Sequence, residues 1–273
     1  MPEEYSSPYP VWLVGAGPGD PELLTRKAER LLREADIVFY DALVGAGVLA
    51  LIPAHANCIP VGKRSGRHSK DQDSINDLLL SAALSGKRVV RLKGGDPSIF
   101  GRMTEEITHL RSAGIDVRIC PGITAASAAA ASLGVSLTLR GMARRLQFVT
   151  AHARKGEALD LDWSALADPG ATLAVYMGKF AASDVARQLI AAGMPADTTA
   201  IVIENASLPE ERHLASRLDL LPLAVSTGIG DGPALLLIGR AMGEATRQTD
   251  SCGRCDEEER EGIPGTSPYG KNG

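Results

Sequence analysis

Apolar and polar positions follow two periods along the chain, and the switches between them mark out the elements. VWLVGAG (11–17) is an unbroken apolar run ending in glycines, the form of a parallel strand buried on both faces. In PELLTRKAERLLREA, positions Leu23, Leu24, Lys27, Ala28, Leu31 and Leu32 share one side at helical spacing and predict a helix. IVFYD (37–41) predicts a second strand, and CIPVGKR (58–64) a third that runs into a glycine turn. DQDSINDLLLSAALSGK reads as a helix closed by Gly86, and RVVRLKGGD (88–96) as a strand entering another glycine turn. GRMTEEITHLRSAG predicts a helix closed by Gly114, DVRICPG a strand, and TAASAAAASLG a helix of small residues.

The pattern lapses between 134 and 146, through GVSLTLRG, and then resumes. LQFVTAH, TLAVYMG, TAIVIEN and PALLLIG predict further strands, with SDVARQLIAAG a helix between two of them. Strands separated by helices predict α/β layers. The lapse divides the chain into an N-terminal α/β domain over 11–137 and a C-terminal α/β domain over 138–243, with the active site expected in the cleft between them. Residues 1–10 read as an N-terminal extension. Residues 244–273 lack periodicity, are rich in charge, Gly and Pro, and are expected to be a disordered acidic tail.

Composition narrows the partners. A chain of 273 residues, 44% hydrophobic and 23% charged, buries a sizeable core without disulfides. Net charge is −4, of which the tail carries −3, so the body has no basic field to draw nucleic acid. No apolar run approaches the ~20 residues of a membrane span, and MPEEYSSPYP lacks a signal-peptide pattern, so a soluble, cytoplasmic protein is expected. Cys58 and Cys120 lie in apolar, strand-like surroundings and read as core residues, while Cys252 and Cys255 form a CGRC in the tail. Two thiols do not fill a four-ligand zinc site and no second pair completes one, so no metal is expected.

Six conspicuous segments fall at predicted C-terminal ends of strands: GAGPGD (15–20), YDALV (40–44), VGKRSGRHS (61–69), LKGGDP (92–97), PGITAAS (121–127) and YMG (176–178). Ligands of open α/β sheets bind beyond those ends. GAGPGD departs from the dinucleotide fingerprint, because Pro18 follows the second glycine and Gly19 comes one residue early. P-loop, GxSxG and HExxH motifs are absent. Lys63, Arg64, Arg67 and His68 crowd one segment, and Lys93, Arg102, Arg140, Arg144 and Arg145 lie in or near the glycine-containing segments. Lys63 and Arg102, each beside a loop glycine, point to an anionic ligand, and arginine's bidentate grip suits a polycarboxylate.

The ordered set VGAGPGDPELLTRKA, YDALV, VGKRSGRHS, VVRLKGGDPSIFGR, PGITAAS and YMG resembles the tetrapyrrole methylase family over about 11–240, and in particular its uroporphyrinogen-methylating branch. The resemblance implies S-adenosylmethionine folded in the interdomain cleft, against Pro18, Gly94, Gly95, Asp96, Ile99, Thr124, Ala125, Met177 and Ala206. It implies uroporphyrinogen III as acceptor, methylated at C2 and then C7 to precorrin-2, with Arg102 and Arg140 on its carboxylates, and a homodimer. By the same resemblance, the candidates for proton removal are Glu105 and Asp41, with Lys63 donating or steadying charge. The chain departs from the family pattern at Ser98, Met103, Thr104, Ser136, Leu139, Arg145, Ala151 and Ala206, which leaves a related methylase for a later corrinoid, or an impaired cofactor-binding paralogue, as alternative readings. No second strand–turn–helix precedes residue 11, so a fused dehydrogenase module is not expected.

Overall fold

A computed structural model describes residues 7–62, 72–152 and 159–243. Strands and helices alternate through the first half: β1 (Val11–Gly15), α1 (Arg26–Glu34), β2 (Ile37–Tyr40), α2 (Ala46–Leu49), β3 (Asn57–Pro60), α3 (Gln72–Leu84), β4 (Val89–Lys93), α4 (Met103–Ser112), β5 (Val117–Cys120) and α5 (Ala125–Ser132). The second half contains β6 (Arg145–Thr150), α6 (Trp163–Leu166), β7 (Ala171–Tyr176), α7 (Ala182–Ala191), β8 (Thr199–Glu204), β9 (Arg212–Arg217), α8 (Leu221–Gly228) and β10 (Ala234–Ile238). Among the described residues no helix is long and apolar enough to cross a membrane.

The first sheet is parallel, in the order β3-β2-β4-β1-β5. Both faces of its central strands β2, β4 and β1 are covered, which is why these run largely apolar without alternation. Leu13, Phe39 and Val89 pack against Leu79 of α3 and Leu110 of α4. Val14, Val38, Val90 and Leu92 pack on the opposite face against Ala28, Leu31 and Leu32 of α1. The second sheet is mixed, in the order β6-β7-β10-β8-β9, with only β6 and β7 parallel. One face meets α7 and α8, and the other is covered by Ala126 and Ala129 of α5 together with Ala143. The small residues of α5 let it lie close against a sheet that begins only after it in the chain.

Three local expectations are corrected. PELLTRKAERLLREA is not one helix. Asp20 accepts the N–H of Glu22 to start a 3₁₀ turn at Pro21–Leu23, and Thr25 accepts the N–H of Ala28 at 3.1 Å to start α1 afresh. Two caps within six residues override the apolar spacing that spans them. Cys58, expected in the core, is exposed because β3 is an edge strand, whereas Cys120 is buried. The strand β9 and the helix α8 were not predicted: RHLASR is too polar to read as a strand, being the exposed far edge of its sheet. Gly86 and Gly114 do close their helices, at φ +72° and +77°. The CGRC pair lies outside the described residues.

Candidate active site

The strand-end loops meet backbone against backbone. Gly17 and Gly95 exchange hydrogen bonds, N–H of Gly17 to the Gly95 carbonyl at 3.2 Å and N–H of Gly95 to the Gly17 carbonyl at 2.7 Å. A Cβ on Gly122 would fall 2.2 Å from the Gly95 carbonyl oxygen, and one on Gly15 would lie 2.6 Å from the same atom. These glycines are therefore required by one another. Gly95 itself, at φ +68°, has open space where its Cβ would stand. Asp96 completes the junction: Oδ1 accepts from the Ser98 N–H at 2.7 Å and Oδ2 from the Gly122 N–H at 2.9 Å.

Beyond these loops, between the two sheets, lies a cavity of about 580 Å³. All nine residues expected to contact the cofactor line it: Pro18, Gly94, Gly95, Asp96, Ile99, Thr124, Ala125, Met177 and Ala206. Asp41 and Arg102 line it as well, whereas Glu105 and Arg140 do not. Lys63 lies outside the described residues.

Its floor holds charges that sequence reasoning only partly found. Arg91 and Lys93 are spaced two apart on β4, so both project on the α4 face, and each is 4% exposed. Glu106, fully buried, takes Lys93 Nζ on both oxygens at 2.9 and 3.0 Å and Arg91 Nε on Oε1 at 3.0 Å. Asp41 stands 4.0 Å from Arg91 and accepts from the N–H groups of Leu43 at 3.0 Å and Gly94 at 3.2 Å. Burial, and then the neighbouring guanidinium of Arg91, pushes the Lys93 ammonium below the usual lysine range. The legible signal was VVRLK itself: two cations inside a buried strand demand a buried carboxylate, and EE stands thirteen residues on.

The rim is different. Arg102 and Glu105 form an i,i+3 ion pair at 2.6 Å, with side chains 60% and 47% exposed. The Arg102 hydrogen bond holds the Glu105 carboxyl below its usual range, which makes it a weaker proton acceptor. Arg140 is exposed on the turn between α5 and β6.

The opposite wall comes from the second sheet. Tyr176 ends β7 with its ring 5.2 Å from Phe100 and its hydroxyl accepting from the Ala126 N–H at 3.3 Å; burial raises that hydroxyl's pKa. Buried Glu204 accepts from the N–H groups of Gly230 at 2.9 Å and Gly232 at 2.6 Å, while Lys179 donates to both carbonyls of the same loop. Neither Glu204 nor Lys179 was singled out from sequence. The five non-glycine residues with positive φ among the described residues are Phe100, Arg102, Met177, Asn205 and Ser207, and the first four line this cavity. Such conformations cost of order 1–3 kcal/mol each and gather at ligand sites.

The two α/β units, the parallel first sheet and the glycine-lined cleft define a class, and comparison agrees. Residues 10–222 match the family model for Tetrapyrrole (Corrin/Porphyrin) Methylases, and the chain belongs to that family. It is 49% identical over 235 residues to a uroporphyrinogen-III C-methyltransferase from Paracoccus denitrificans, covering 86% of this chain and 82% of that one. It is 47% identical to a siroheme synthase from Gluconacetobacter diazotrophicus, of whose length the chain spans 49%. It superposes at a TM-score of 0.72 and 40% identity on uroporphyrin-III C-methyl transferase from Thermus thermophilus complexed with S-adenyl homocysteine, covering 87% of this chain and 99% of that one.

Proposed function

We propose that this chain methylates uroporphyrinogen III at C2 and C7 with S-adenosylmethionine, yielding precorrin-2 for sirohaem and/or cobalamin-type synthesis. The observation that carries the reading is the gathering of all nine motif-matched cofactor residues around one cavity that Arg91, Lys93 and Arg102 also line. When bound, S-adenosylmethionine supplies a methyl group already activated on a sulfonium.

The lining fits that molecule. Each Asp96 oxygen accepts one backbone N–H, leaving lone pairs for ribose hydroxyls or an ammonium. Gly95 leaves space for close approach, and Ile99, Met177 and Ala206 supply an apolar seat. Glu105 holds the Nε edge of Arg102 at the rim, and the remaining edge of the guanidinium is offered to an acceptor carboxylate. Because the methyl is pre-activated, positioning by these residues supplies most of the acceleration. Asp41 is the better-placed proton acceptor, since it lines the cavity and Glu105 does not.

Of the eight departures from the family pattern, Ser98, Thr104 and Ser136 are exposed, Met103 and Leu139 pack into apolar clusters, and only Ala206 lines the cavity. That seven of the eight stand off the cavity supports retained activity. The resemblance supports a homodimer, which light scattering on the purified chain checks. The activity is tested by anaerobic incubation with S-adenosylmethionine and uroporphyrinogen III. Cofactor binding without methylation would reject the acceptor.

A further inference from the structure

Lys93 shares the cavity floor with Arg91. It sits in a strand whose five residues are all buried, and an ammonium there costs several kcal/mol unless it is paired. Glu106 provides the pairing, receiving two of the three ammonium hydrogens. Among the described residues no other acceptor takes a hydrogen bond from Nζ, and Lys93 lines the cavity. The remaining charged groups around it are Arg91 on its own strand, Asp41 at the end of β2 and Glu105 on α4; β1 brings only Gly15 opposite it.

We propose that Lys93 is a binding point for a carboxylate of the acceptor at the cleft floor, and that Glu106 is a positioning residue that keeps Lys93 in place and charged. Arg102 meets the acceptor at the rim, where water and salt weaken it. Lys93 meets it where the dielectric is low and one ion contact discriminates strongly. The direction of the Lys93 shift shows what Glu106 opposes: burial and Arg91 drive the proton off, and the carboxylate holds it on. Arg91 still satisfies Glu106 when Lys93 is removed, so the floor tolerates that loss.

The inference rests on the acceptor being a polycarboxylate, as proposed above. It is tested with the full chain by measuring the KM for uroporphyrinogen III and the affinity for S-adenosylmethionine from about pH 6 to about pH 10. Lys93→Met is expected to raise that KM at least about tenfold below the pH of the wild-type alkaline rise and to show no such rise itself, with cofactor affinity within about twofold. In Glu106→Gln the alkaline rise in KM is expected about one pH unit or more below its wild-type position, because Lys93 has lost its anion. A KM unchanged in Lys93→Met, or a loss in Glu106→Gln uniform with pH, overturns the proposal. If Glu106→Gln does not fold, Glu106→Asp keeps the charge and must restore the wild-type pH position. Nitrogen-15 NMR of the Lys93 ammonium without acceptor gives an independent reading. A lower titration midpoint in Glu106→Gln supports the role of Glu106 even if uroporphyrinogen III proves to be the wrong acceptor, and an unmoved midpoint overturns it.

Discussion

Replacing Asp96 by Ala removes one carboxylate that serves two neighbours, and the structure separates the two losses. The Ser98 N–H is exposed and turns to water at little cost. The Gly122 N–H is part-buried at the loop junction, so water replaces its lost acceptor less completely. Leaving that donor unpaired costs about 1–3 kcal/mol. For a chain of this size that lowers the melting temperature by roughly 2–10 °C. A direct contact to the ribose or ammonium of S-adenosylmethionine adds a separate loss of about 1.5–3 kcal/mol in binding, or about 10–150-fold in Kd. The assay is calorimetric titration with S-adenosylmethionine below the melting range, with the melting temperature recorded in parallel. A folded Asp96→Ala protein with wild-type Kd would refute the contact and leave Asp96 as a loop staple alone.

Asp41→Asn is expected to lower single-turnover methylation about 10²-fold or more, while Glu105→Gln stays within about threefold; the reverse order would move the base to the rim. Arg102→Ala raises the KM for uroporphyrinogen III and leaves calorimetric cofactor affinity mostly intact, and an equal loss of both would show that the αL turn at 102 shapes the cofactor loop instead. Asp36 is held down to about 2 from 3.8, chiefly by its hydrogen bond from the Arg88 side chain. A carboxylate whose folded value is depressed stabilises above its unfolded value and loses that contribution as pH falls through the folded one. The melting-temperature advantage of wild type over Asp36→Asn therefore shrinks as pH falls from about 4 to about 2, and an advantage constant across that window contradicts the assignment.

The parallel half of the fold was readable because its central strands β1, β2 and β4 are buried on both faces and its loops carry glycine. The mixed half was harder: β9 exposes Arg212, His213 and Leu214 along an edge, so no apolar run announces it. At PELLTRKAERLLREA, helical spacing hid two capping residues, Asp20 and Thr25, that divide the segment. Motifs located the cavity lining well because loop chemistry is local. They could not rank Glu105 against Glu106, adjacent residues of which one faces solvent and the other the core, since that depends on how α4 sits on β4. The clasp of Lys179 and Glu204 on the Gly230–Gly232 loop joins residues far apart in the chain, which no motif records.

The central claim is tested most directly by the products of an anaerobic reaction of the purified chain with uroporphyrinogen III and excess S-adenosylmethionine, followed by mass spectrometry with S-adenosylhomocysteine counted in the same sample. A monomethylated intermediate is expected to give way to a dimethylated macrocycle, with two S-adenosylhomocysteines released per acceptor. A tetrapyrrole of unchanged mass, from a protein that still binds S-adenosylmethionine, would contradict it.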